Sequence, residues 1–184
     1  SSRGAKLPVS DLPPAFLGWF ASHGWQPREH QLKLVAQVAA RRSTLLIAPT
    51  GSGKTLAGFL PSLIALSQQK RERGAGVHTL YVSPLKALAV DIARNLLAPV
   101  QQMDLPIRVE TRSGDTSISR KARQRQRPPD MLLTTPEQIT LLLSHPDAAH
   151  LFRDLDTVIL DELHALAPTK RGDLLSLDLA RLAT

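Results

Sequence analysis

Two pairs of residues could handle a polyphosphate and its metal ion. Lys54 and Thr55 close the stretch Ala48-Pro49-Thr50-Gly51-Ser52-Gly53-Lys54-Thr55, which follows the apolar run Leu45-Leu46-Ile47. Asp161 and Glu162 end a second apolar run, Val158-Ile159-Leu160. Small residues between a strand and a helix let successive backbone N–H groups turn inward on phosphate oxygens. Thr50, Gly51, Ser52 and Gly53 would form that cradle, Lys54 would sit on the β and γ phosphates, and the Thr55 hydroxyl would reach Mg²⁺. The helix starting near Gly53 adds the positive end of its dipole. Ala48 stands where such loops usually begin with Gly, which an ordinary backbone conformation tolerates. The plain alternative is a Gly-Ser turn that happens to end in Lys-Thr.

A strand that delivers two adjacent acids suits metal and base chemistry. Asp161 would hold Mg²⁺ through a water, and Glu162 would activate an attacking water. The alternative is an ordinary acidic strand end. His164 is either a surface imidazole or a link from the γ-phosphate site to its surroundings.

Alternating elements must position these groups. Asp11 caps a short helix through Phe16, Leu17, Trp19 and Phe20, and Gly24 ends it; Pro27 opens a second helix over 28–41. Strands are expected at 44–48, 77–82, 107–111, 131–134 and 157–160. Helices are expected at 53–69, from Pro84 to about 102, at 116–126, 136–144 and 173–182. Strands separated by helices pair in parallel, and short apolar strands imply a sheet covered on both faces, an α/β fold. In such sheets ligands gather at the C-terminal ends of the strands. Trp19 and Phe20 read as core, and Trp25 as a half-buried anchor with base stacking as the alternative. Asp154 and Asp156 read as terminators of the last strand.

The 184 residues suffice for a domain with a real core, and 42% of them are hydrophobic. No apolar run approaches the ~20 residues of a membrane span. No signal peptide is visible, and the absence of Cys excludes disulfides and thiolate metal sites, which fits a cytoplasmic setting. The net charge is +7. Much of that excess is local, with Arg112, Arg120, Lys121, Arg123, Arg125 and Arg127 against Asp115 between 111 and 127. A concentrated basic patch favours a polyanion such as nucleic acid, although a solvated basic helix would look similar.

Asp161-Glu162-Leu163-His164 resembles the DExH box of superfamily 2 helicases, and other stretches follow in that family's order. Gln31 resembles the glutamine that reads adenine, and its amide suits the adenine edge, with an exposed helix-start Gln as the alternative. Ser83-Pro84-Leu85-Lys86-Ala87-Leu88 is similar to motif Ia, Thr111-Arg112-Ser113-Gly114-Asp115-Thr116 to a T-x-x-G-D element, and Thr134-Thr135-Pro136-Glu137 to motif Ib. More narrowly, the chain resembles the large-helicase-related (Lhr) family, ligase-associated type, from about residue 12 to 180. The resemblance implies a RecA-like three-layer fold, with residues 1–42 as an N-terminal extension and 43–184 as the first RecA-like domain. It implies ATP and Mg²⁺ as cofactors, with Lys54, Asp161, Glu162 and His164 in catalysis. It further implies a single-stranded or tailed duplex nucleic acid, DNA before RNA, along Ser83, Pro84, Lys86, Arg112, Gly114, Asp115, Thr116, Thr134, Thr135, Pro136 and Glu137. Lys170-Arg171-Gly172-Asp173 would lie near the ATP-side machinery.

No Ser-Ala-Thr motif and no arginine-finger motif follow Asp161-Glu162. The chain is therefore expected to be a segment of a longer protein, with a second RecA-like domain, a 3′-to-5′ polarity, a repair role and a functional link to a DNA ligase implied by resemblance alone. By itself the segment should hydrolyse ATP slowly at best. A kinase-like reading leaves the Thr-Thr-Pro-Glu and Gly-Asp-Thr elements unexplained. A non-catalytic binding module conflicts with intact Lys54, Thr55, Asp161 and Glu162.

Overall fold

Short apolar runs bounded by helix breakers become the strands of this α/β fold. The structure, a computed structural model, describes residues 12–42, 44, 53–72, 74–84 and 93–161. Of the expected strand at 44–48 only residue 44 is described, and the expected helix at 173–182 falls outside those residues, as does Asp11. The chain divides into two compact units, Ser1–Gln69 with Ala93–Pro106, and Lys70–Ile92 with Ile107–Thr184. The boundary expected near residue 42 does not coincide with this division.

In the first unit, α1 (Pro14–Ser22) opens with a proline, which needs no intrahelical N–H partner there, and buries Phe16, Trp19 and Phe20. Gly24 ends its turn at φ 65°, a conformation that favours glycine. Trp19 is core, as expected, and its indole donates to Gln102 Oε1 at 2.6 Å. The second helix, α2 (Glu29–Ala39), packs on α3 (Lys54–Gln68), which is buried around most of its circumference by Leu56, Phe59, Leu60, Leu63 and Leu66. A π-helical turn (Ala93–Leu97) leads into α4 (Ala98–Gln102). Pro99 has no N–H for the carbonyl four residues back, and the chain widens just before it.

The second unit holds β1 (Thr79–Val82), β2 (Val109–Arg112), α5 (Ile118–Gln126), β3 (Met131–Thr134), α6 (Pro136–Leu143), α7 (Ala148–Phe152) and β4 (Thr157–Leu160). Its sheet runs β2-β3-β1-β4 with every pair parallel. Leu80, Val82 and Leu132 from the strands pack with Val77, with Ile139 and Leu142 of α6 and with Leu151 of α7. Burying such side chains contributes roughly 1.5–3 kcal/mol each. β1 and β3 are buried along their whole length, which fits uninterrupted Thr-Leu-Tyr-Val and Met-Leu-Leu-Thr runs in the middle of a sheet.

Register sets what leaves each end. Val82 lies level with both Thr134 and Leu160, and Thr134 level with Arg112. All four strands therefore finish on one line, and Ser83, Ser113, Thr135 and Asp161 step off the same edge.

Candidate functional site

That edge is stitched largely by backbone. Ser83 N–H donates to Thr134 O at 3.1 Å, and Asp161 N–H to Val82 O at 3.0 Å. Thr134 Oγ1 donates to Arg112 O at 2.8 Å. The Tyr81 hydroxyl, from a side chain buried in β1, donates to Asp161 Oδ2 at 2.8 Å. Asp161 is thus oriented by a group that spacing alone did not single out. The signal available for Tyr81 was an aromatic inside an otherwise aliphatic strand.

After β2 the chain closes a turn over 113–116. Ser113 N–H donates to Thr116 Oγ1 at 2.9 Å, and Thr116 N–H to Ser113 O at 3.3 Å. Gly114 and Asp115 are exposed at its tip. Ser117 caps α5, its hydroxyl accepting from Arg120 N–H at 3.4 Å, and Lys121 Nζ donates back to Gly114 O at 2.9 Å. Pro136 starts α6 at the residue after Thr135 and Glu137 is exposed in its first turn, while Thr135 makes no side-chain cap.

Three expectations are corrected here. Arg112 lines no open groove and does not face solvent: it is only 5% exposed, and Nη1 donates to Lys121 O at 3.1 Å. Burial, with Arg125 nearby, lowers its pKa. Thr134 is fully buried, and its hydroxyl is turned to Arg112 O rather than outward. The basic segment is also less available than its composition suggests. Glu110 pairs with Arg120 at 3.5 Å and Arg123 at 3.2 Å, and Asp147 with Arg125 at 3.5 Å. Burial pushes the Glu110 carboxyl up, but hydrogen bonds from Gln124 and Arg123 and the charges of Arg123 and Arg120 outweigh it and hold it below the usual range.

In the first unit, Gly53 enters α3 at φ 78°, in the left-handed region, with Lys54 as the first helical residue and both Lys54 and Thr55 half-buried. Gln31 is not the exposed helix-start residue of the alternative reading; it is 3% exposed. Its Oε1 accepts from Arg28 N–H at 2.9 Å, and its Nε2 reaches Gly53 O at 3.5 Å. Gln31 therefore links the start of α2 to the end of the proposed phosphate loop. A Cβ on Gly53 would lie 3.1 Å from that same Nε2. Trp25 is 53% exposed, more than a half-buried anchor, and lies 4.8 Å from the His23 ring in a tilted stack. Thr50, Gly51, Ser52, Lys86, Glu162, His164 and the stretch Lys170–Asp173 lie outside the described residues.

Among the described residues no group of His, Cys, Asp and Glu gathers as a metal cluster, and no helix is long and apolar enough to cross a membrane. Asp161 fits a hard, oxygen-seeking cation by type, as one fixed carboxylate at a strand end, a pattern that suits Mg²⁺ held mostly by water and substrate phosphates.

The chain matches the family model of the DEAD/DEAH box helicases over residues 28–184. It is 44% identical over 174 residues to the Lhr helicase/probable uracil glycosylase of Mycolicibacterium smegmatis, covering 89% of this chain and 12% of that protein. It is 38% identical to the ATP-dependent helicase Lhr-Core of Methanothermobacter thermautotrophicus, covering 94% of this chain and 21% of that one. Among solved structures, the Mycobacterium smegmatis helicase Lhr bound to ssDNA and AMP-PNP superposes with a TM-score of 0.81 at 40% identity, over 95% of this chain and 23% of that one. The chain thus spans less than a quarter of the length of each of these relatives.

Proposed function

Because this chain belongs to the DEAD/DEAH box helicase family, we propose that it is the first RecA-like motor domain of an ATP-dependent helicase or translocase of the Lhr type, acting on DNA. One observation carries the reading. The four parallel strands end level, so that Ser83, the turn 113–116, the start of α6 and Asp161 share one edge of one sheet. Such an edge, with the exposed tip of the 113–116 turn and the start of α6 brought level, suits contact with a single-strand backbone without reading its sequence. The Lhr relative bound to ssDNA and AMP-PNP supports both ligands.

Lys54 and Thr55 take the nucleotide phosphates and their Mg²⁺, with Thr50, Gly51, Ser52 and Gly53 as the cradle and Gln31 on the base side. Asp161 would help hold Mg²⁺, which when bound would supply charge neutralisation for phosphoryl transfer. Glu162 would take the proton of the attacking water, and His164 would couple the site to its surroundings. Pro84, Lys86, Gly114, Asp115, Thr116 and Glu137 form the strand-tracking edge. Ser83, Thr135 and Pro136, expected on it, are buried and with Thr134 and Arg112 belong to its support.

A second RecA-like domain of the same protein completes the ATP site, and the ligase-associated type, a repair role and a cytoplasmic location are part of this proposal. The test is the ATPase of the full-length protein with and without single-stranded DNA. Stimulation by DNA, and its loss by about a thousandfold in Lys54→Ala, is the expected result. An ATPase that ignores DNA and survives Lys54→Ala would sink the reading.

A further inference from the structure

Helix α5 is docked in an unusual way. Its sequence, Ile-Ser-Arg-Lys-Ala-Arg-Gln-Arg-Gln, buries one side chain, Gln124, at 1% exposure. Its large apolar residue, Ile118, is turned to solvent. The helix is therefore held by hydrogen bonds and ion pairs where other surface helices use an apolar stripe. Gln124 Nε2 donates to Thr111 O and to Glu110 Oε2, each at 3.0 Å, and Oε1 faces Arg112 Nη1 at 3.5 Å. Arg112 Nη1 also holds Lys121 O, and Lys121 Nζ holds Gly114 O, the tip of the 113–116 turn. One continuous chain of bonds runs from the end of β2, through the buried face of α5, back to the turn.

We propose that Gln124 and Arg112 are positioning residues that set the 113–116 turn against the nucleic-acid backbone. This rests on the function proposed above. The physical reason lies in what a polar dock does that an apolar one does not. Apolar contacts are non-directional and tolerate a small slide or rotation of a helix. A buried hydrogen-bonded network is directional. Arg112 Nε already has no partner among the described residues, so the Nη1 and Gln124 bonds are the ones that hold the geometry, and losing them leaves further buried groups unpaired at a cost. A helix whose first turn abuts a backbone-tracking loop gains from that directionality. The arrangement also gives the buried Arg112 charge a use, since its Nη1 spans the helix carbonyl and Gln124.

Two measurements on the full-length protein test this. In the unsubstituted protein without DNA, hydrogen exchange should show the Ser113 and Thr116 amides protected in step with those of α5. A turn that stays protected while α5 opens overturns the proposal. The second measurement is Gln124→Met, which keeps the volume and loses the bonds. It should raise the single-stranded DNA concentration for half-maximal ATPase about tenfold and lower the melting temperature by a few degrees, because Thr111 O and Arg112 lose a buried partner. The rate at saturating DNA should stay close to that of the parent at a temperature where both are folded. An unchanged DNA requirement, or a saturating rate that falls together with the melting temperature, overturns it. If the unsubstituted ATPase ignores DNA, the proposed function fails instead, and the exchange result still decides the positioning role.

Discussion

The two ends of the same sheet differ in what is added to the backbone. Backbone hydrogen bonds join neighbouring strands at both ends, and at the C-terminal end the Tyr81 hydroxyl reaches Asp161. At the N-terminal end, charged groups are bound into a network with one another and with backbone. Arg71 donates to Asp130 Oδ1 at 2.9 Å and to Gly76 O at 2.7 Å, Asp130 Oδ2 accepts from Arg108 N–H at 2.8 Å, and Asp154 Oδ2 accepts from Gly76 N–H at 2.6 Å. His78, buried beside this network, has Nδ1 2.8 Å from Thr79 Oγ1 and Nε2 4.0 Å from Asp156. Among the described residues, Arg71, Asp130, Asp154, Asp156 and His78 thus gather into one fastening at the end that does no proposed chemistry.

If that contrast holds, substitutions at the two ends should separate activity from stability. The largest effect is expected from Asp161→Asn in the full-length protein, a loss of ATPase of about a thousandfold with little change in melting temperature. Parallel losses of both would erase the contrast. Arg71→Ala should do the reverse: about 3 kcal/mol of stability lost in denaturant titration, with turnover retained at a temperature where the protein is folded. The partly buried Asp130 carboxylate loses its cation and keeps, among the described residues, only the Arg108 N–H, and Gly76 O loses its donor. Tyr81→Phe is smaller, raising the Mg²⁺ needed for half-maximal ATPase about tenfold. An unchanged Mg²⁺ requirement would mean that the hydroxyl does not orient Asp161.

The smallest effect is a pH dependence. Burial is the main cause holding the His78 imidazole below its ordinary pKa, opposed by Asp156, reinforced by Arg71 and opposed again by Asp130. The unfolded chain then takes a proton first. The stability contributed is full above the ordinary histidine range and is lost as pH falls through it toward the folded value. His78→Gln should flatten this slope by less than about 1 kcal/mol between neutral and mildly acidic pH; a slope that survives unchanged assigns it elsewhere. The Asp154 and Glu110 carboxyls, both held below their ordinary values, act in the same sense at lower pH. For Asp154 the main cause is the Gly76 N–H.

The same contrast explains what the sequence made legible. Met131–Thr134 and Thr157–Leu160 fall where expected, because each is an apolar run with a polar stop on either side. Strands expected to start at 77 and 107 start two residues later. Val77 N–H goes to Leu151 O, His78 N–H to Asp130 O and Arg108 N–H to the Asp130 carboxylate, so those backbones leave the ladder. Periodicity carries no trace of a side chain arriving from elsewhere in the chain. Asp154 and Asp156, read as plain terminators, are parts of that fastening. The short α7 was missed because five residues show no period. Arg112 was misplaced because cations are rarely buried, and the partner that explains it, Gln124, looked like one more polar residue on a polar helix.

Asp130 also orders events in time. Its carbonyl accepts from His78 and Thr79, and its carboxylate serves Arg71 and Arg108. A chain leaving the ribosome presents β1 long before Asp130 emerges, and the β4 neighbour of β1 comes later still. Until then the Leu80-Tyr81-Val82 segment has neither its starting anchor nor either flanking strand. Such an interval exposes an apolar strand to other nascent chains. Slowing translation just before Asp130 should therefore cost soluble yield, and the same delay placed after Leu160 should not.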